Sequence, residues 1–164
     1  MNRSDLTKAL REFQDAADDA DWALVYYAGH GIEIRRQNFL IPVDAKLETD
    51  RDADDEAVPL ERVLDRIHNA HKLQLVILDA CRNNPFKVAT IGQDGQRALL
   101  QHRGLARIEP ATPNELVVYA AKDGDAAADG GDAEHSPFAA ALMARLKEPR
   151  VEINETFNNV TKDV

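Results

Sequence analysis

Cysteine occurs once in these 164 residues, as Cys81. An internal disulfide framework is excluded, so the thiol is either a small core residue or a nucleophile, and a reducing compartment is the simpler assumption. Positive charge is short as well: 20 Lys and Arg against 29 Asp and Glu give a formal charge of −9. That balance argues against a surface built to neutralise phosphates, and no nucleic-acid partner is expected. No apolar run approaches the roughly 20 residues that a bilayer span requires. Met1 leads into a charged, helix-like segment (MNRSDLTKALREF) instead of an apolar signal core. The expectation is a soluble, cytoplasmic protein with no membrane partner. What is present is 44% hydrophobic content, enough for one domain over residues 1–164 with a core of its own.

Hydrophobic periodicity divides the chain. Leu6, Ala9, Leu10, Phe13, Ala17 and Ala20 recur at helical spacing, with Ser4 or Asp5 as the cap. The run Trp22 to Tyr27 is continuous, apolar and too short for a helix, which predicts a strand buried on both faces and closed by Gly29. Gly31–Ile34 and Asn38–Ile41 flank a polar Arg35-Arg36-Gln37, the pattern of a small hairpin ended by Pro42. Leu60, Val63, Leu64 and Ile67 mark a second helix, followed by a second buried strand from Leu73 to Leu78 that runs out at Asp79-Ala80-Cys81. Residues 82–112 show no period and read as a long loop, and the acidic run from Glu48 to Glu56 reads as a solvated one. Leu116–Tyr119 predicts a third strand. Ser136-Pro137 caps a helix through Leu146, and a last helical stretch covers Asn154 to Val160. Strands alternating with helices predict an α/β fold, a mainly parallel sheet in a three-layer arrangement, with ligands bound beyond the carboxyl ends of its strands.

His30 and Cys81 both fall at such ends. Neighbouring strands of a βαβ unit would present them on one edge of the sheet. A thiolate attacks a carbonyl far better than a thiol does, and a nearby imidazole supports the thiolate or protonates a leaving amine. Cys81 is the candidate nucleophile and His30 the candidate general acid and base. The peptide N–H groups of Gly31 and Cys81 are the candidate oxyanion donors, since glycine admits close backbone approach. A lone cysteine after an apolar strand is ordinarily a buried hydrophobe, and it is the histidine that shifts the balance. His68 and His71 lie three apart near a helix end, where histidines favour the macrodipole, so no metal site is expected there.

Three ordered motifs, Tyr26-Tyr27-Ala28-Gly29-His30-Gly31, Asn38-Phe39-Leu40-Ile41-Pro42-Val43-Asp44 and Leu78-Asp79-Ala80-Cys81-Arg82-Asn83-Asn84-Pro85, resemble the bacterial caspase-like and metacaspase-like branch of the caspase family, the C14 peptidases. Cys81 stands 51 residues after His30, close to the interval of about 50 in a caspase signature with Ala-Cys-Arg at its centre. Asp79 and Asn83 stand where that signature has glutamine and glycine. The resemblance implies a cysteine endopeptidase, with Asp79 facing the specificity pocket as in metacaspase-like members, and hence cleavage after arginine or lysine. Asp125, with Asp129, is a second candidate for that pocket, although a solvated loop is the commoner reading of such a run. No cofactor is expected, with calcium left open by the resemblance.

Self-cleavage between Arg82 and Arg103, at Lys87, Arg97 or Arg103, is a further expectation drawn from related enzymes. The resemblance also implies that the family's opening strand, helix and strand and its final strand are absent here. The Trp22–Tyr27 strand would then be an edge open to a second copy or a partner chain. The competing reading is a non-catalytic or partner-dependent module of the same fold.

Overall fold

The computed structural model describes residues 1–81, 89–91, 97–99, 105–120 and 135–164. Helix α1 covers Arg3–Asp18, and Asn2 caps it by accepting from the Asp5 amide at 2.8 Å. The cap thus lies before Ser4 and Asp5. Among three cap-capable side chains, the outermost leaves Asp5 in the first turn, where its charge favours the positive end of the helix.

Strand β1 runs from Trp22 to Ile34, through the histidine, and turns at Arg35-Arg36 into β2, Gln37–Ile41. Both turn residues have positive φ, 54° and 66°, as a two-residue hairpin turn with the twist of its strands demands. Arg35 then reaches Asp54 at 2.7 Å. Asp54 belongs to α2, Asp52–Glu56, so the acidic run read as a loop contains a helical turn. A short β3, Val58–Pro59, leads into α3, Leu60–Ile67, and then β4, Leu73–Cys81.

Part of the stretch expected to be a loop forms an antiparallel pair, β5 (Ala89–Ile91) with β6 (Arg97–Leu99). Strand β7 covers Glu115–Tyr119, and helices α4 (Pro137–Arg145) and α5 (Ile153–Asp163) follow. No helix among the described residues is long and apolar enough to cross a membrane.

The main sheet has the order β3-β2-β1-β4-β7, with β1, β4 and β7 mutually parallel and the β2 hairpin antiparallel. Alternation along β4 divides its side chains between two layers. Val76, Leu78 and Ala80 pack with Leu10, Ala17, Val63 and Ile67 of α1 and α3. Leu75 and Ile77 pack with Phe138, Leu142, Phe157 and Val160 of α4 and α5. The expected three-layer α/β arrangement is therefore present, with β4 buried on both faces.

β1 is not. Its odd positions, Ala23, Val25 and Tyr27, join the α1/α3 layer, but Trp22, Leu24 and Tyr26 on the opposite face are 67, 49 and 41% exposed. Helices α4 and α5 follow β7 and cover β4 and β7, and no described element continues that layer over β1. Beyond its pairing with β2 at His30–Ile34, β1 is hydrogen-bonded to a described strand only on its β4 side.

Candidate active site

Register brings the two candidate catalytic residues together. The parallel ladder of β1 and β4 runs from Trp22 opposite Leu73 to His30 opposite Cys81 as its last pair. Adjacent strands lie about 4.8 Å apart, and residues opposite one another in a parallel pair share a face. His30 and Cys81 are thus neighbours on the last rung of that ladder, where β4 ends while β1, contrary to the expected strand end at Gly29, runs on to Ile34 in its pairing with β2, and His30 is exposed. Any slip of one residue would send the two to opposite faces.

The backbone around His30 is held by residues of its own motif. Tyr27 donates its hydroxyl to the His30 carbonyl at 2.9 Å and lies 3.1 Å from the Ile41 carbonyl. To do so its ring passes over Gly29, where a Cβ would stand 2.8 Å from the phenolic oxygen. Gly31 serves a similar purpose for Leu105, which is 2% exposed and whose Cγ would lie 2.7 Å from a Cβ at that position. Leu105 is fastened in turn by Asn38, whose buried amide donates to the Ala106 carbonyl and accepts from the Ala106 amide, both at 2.7 Å. The glycines flanking the histidine and the asparagine of the second motif are parts of one packing arrangement.

Two predictions arise here. Gly31→Ala is expected to destabilise the fold by about 1–3 kcal/mol, the cost of overpacking a filled site. Denaturant unfolding checks it, and adding Leu105→Ala should give less than the sum of the two single losses. Burial also pushes the Tyr27 phenol up to about 12 from its ordinary 10.0. The unfolded chain then loses this proton first. Tyr27 should add no pH dependence to stability below about pH 10, and stability should fall as pH rises from there toward 12, with a shallower slope in Tyr27→Phe.

Asp79 pairs with Ala28, one alternation before the His30 and Cys81 pair, on the face that also carries Tyr26. Its Oδ2 accepts from the Tyr26 hydroxyl at 2.6 Å and from the Ser136 hydroxyl at 2.5 Å. Ser136 also caps α4, accepting from the Ala139 amide at 3.0 Å. Burial, the hydrogen bond to Asp79 and the charge of Asp79, in that order, push the Tyr26 phenol well above its usual range. At the same end of β1 a cleft of about 600 Å³ opens, lined by Tyr26, Ala28, Gly29, His30, Ile41 and Pro42 among others.

Gly31 is buried opposite Leu40 in the hairpin ladder, beside the histidine. Asp125 and Asp129, and Lys87 and Arg103 of the expected cleavage segment, lie outside the described residues, whereas Arg97 is in β6. His68 follows the last turn of α3, and His71 lies 3.9 Å from Asp21. No group of three His, Cys, Asp or Glu side chains among the described residues could hold a metal ion. Sequence reasoning missed Tyr26 and Ser136. The signal was available for Tyr26, which shares parity with His30 on one strand. For Ser136 the capping role, correctly read, hid the second use of its hydroxyl.

The family model of the caspase domain of the C14 peptidases matches residues 1–164. No curated protein matches the chain. The chain belongs to the caspase-domain family, and its membership supports cysteine-type peptide hydrolysis in general and protein substrates.

Proposed function

We propose that this chain is a cysteine endopeptidase that uses a dyad of His30 and Cys81 and cleaves after arginine or lysine. The observation that carries the reading is the register of β1 on β4, which pairs these two residues at the end of a parallel ladder. In the proposed reaction the Cys81 sulfur bonds to the scissile carbonyl carbon as its proton passes to the His30 imidazole. The oxygen gains negative charge and is met by the peptide N–H groups of Gly31 and Cys81. His30 then gives its proton to the departing amine as the C–N bond breaks, leaving a thioester. Water attacks the thioester with His30 as base, releasing the acid and restoring the thiol. Asp79 supplies the negative charge that pairs with the basic side chain before the cleaved bond and repels aspartate.

The test is hydrolysis of short reporters ending in Arg, Lys or Asp. Turnover by the folded chain on Arg and Lys reporters, dependent on Cys81, is the expected result. Its absence contradicts the reading.

A second reading, a module that works through a partner, is favoured by one observation. The edge of β1 before His30 has no described strand partner on its outer side, and Trp22, Leu24 and Tyr26 expose an apolar stripe beside it. An added extended segment from a second copy or a partner chain would pair with that edge. Solution mass over a concentration series distinguishes a self-paired chain from a monomer.

A further inference from the structure

Both hydroxyl donors to Asp79 meet the same oxygen. Oδ2 receives Tyr26 and Ser136, while Oδ1 has no hydrogen-bond donor among the described residues. The donors come from different elements, β1 and the N-cap of α4. Neither is required by the fold at that point. Tyr26 is 41% exposed on the uncovered face of β1, and capping occupies only the lone pair of Ser136, leaving its proton to be placed elsewhere.

Resting on the reading of Asp79 as the carboxylate that meets the substrate cation, we propose that Tyr26 and Ser136 are specificity-determining positioning residues. They clamp Oδ2 and present Oδ1 to the guanidinium or ammonium group before the scissile bond. The terminal torsion of an aspartate is broad, so an unheld carboxylate has to be ordered by each ligand that binds. Fixing one oxygen from two directions sets the plane of the group in advance and removes that cost. Both donors are neutral, so the negative charge is left for the cation. A lysine or arginine in either place would cancel it. Tyr26 also stays a donor, because its burial and the neighbouring carboxylate oppose its ionisation.

Binding tests this without depending on turnover. In a Cys81→Ala chain, calorimetric titration compares a blocked peptide with internal arginine against the same peptide with citrulline, an uncharged isostere. The parent is expected to prefer arginine. Tyr26→Phe, which keeps the ring, should cut the arginine-to-citrulline affinity ratio about tenfold, the worth of one hydrogen bond to a charged group. Ser136→Ala should do the same and Ser136→Thr restore it, and where Ser136→Ala perturbs α4, Tyr26→Phe carries the test. In an Asp79→Asn background Tyr26→Phe should change nothing further. Loosening of the fold would weaken both peptides alike and leave the ratio intact. A ratio that collapses in Asp79→Asn but keeps its parent value in Tyr26→Phe overturns the positioning role while the reading of Asp79 stands. No preference for arginine in the parent overturns both.

Discussion

Replacing Cys81 by alanine should lower kcat/KM on an arginine reporter by at least about 10³-fold, and His30→Ala should cost about 10²–10⁴-fold. The two losses should not add. A nucleophile and the base that serves it act as a unit, so the double variant should resemble the worse single one. The expectation rests on the last rung of the β1–β4 ladder, where His30 stands opposite Cys81. Neither substitution should disturb the fold. His30 is exposed on β1, and it is its carbonyl that receives the Tyr27 hydroxyl. Unchanged thermal unfolding beside lost turnover separates chemistry from collapse, whereas turnover that survives Cys81→Ala would assign hydrolysis to something else.

The second large effect concerns choice of substrate. Asp79→Asn keeps the size of the side chain and still offers an oxygen to the Tyr26 and Ser136 hydroxyls, but it removes the charge. Arginine and lysine reporters should then lose roughly 10- to 100-fold in kcat/KM, the range of a hydrogen bond to a charged group. The loss should fall mainly on KM, because the cation is held in the ground state and in the transition state alike. An aspartate reporter should gain or stay level. Equal losses on arginine and aspartate reporters would remove Asp79 from the pocket. The charge argument predicts a salt dependence as well, with the arginine preference narrowing at high ionic strength.

Much of the scaffold is legible from local pattern alone. The hairpin at Arg35-Arg36, the helix from Leu60, the strand from Leu73 and the Ser136-Pro137 cap each carry their own signal in turn chemistry or period. The burial of β1 was not legible, because an apolar run reports that its residues are strand formers and not whether a second layer reaches them. Trp22, Leu24 and Tyr26 are strand formers like Leu75 and Ile77, yet α4 and α5 cover only the latter pair. The helical turn Asp52–Glu56 escaped for a different reason. Its acidic side chains suggest a solvated loop, and its persistence depends on tertiary contacts such as Asp54 with Arg35 and the burial of Ala53.

At the site, residue types and order indicated His30 and Cys81, and strand alternation could in principle have added Tyr26. The tether from Ser136 to Asp79 spans 57 positions and no local pattern carries it. The same holds for Asn38 gripping Ala106, which explains why an asparagine opens the second motif only once the chain has returned to cover Gly31.

The most direct test of the dyad is covalent. A peptidyl electrophile with arginine at its reactive end, incubated with the folded chain and followed by intact mass, should give a single adduct that peptide mapping assigns to Cys81. Its formation should slow sharply in His30→Ala, because the paired imidazole supports the thiolate that attacks. No adduct at Cys81, or one that forms equally fast without His30, would contradict the account.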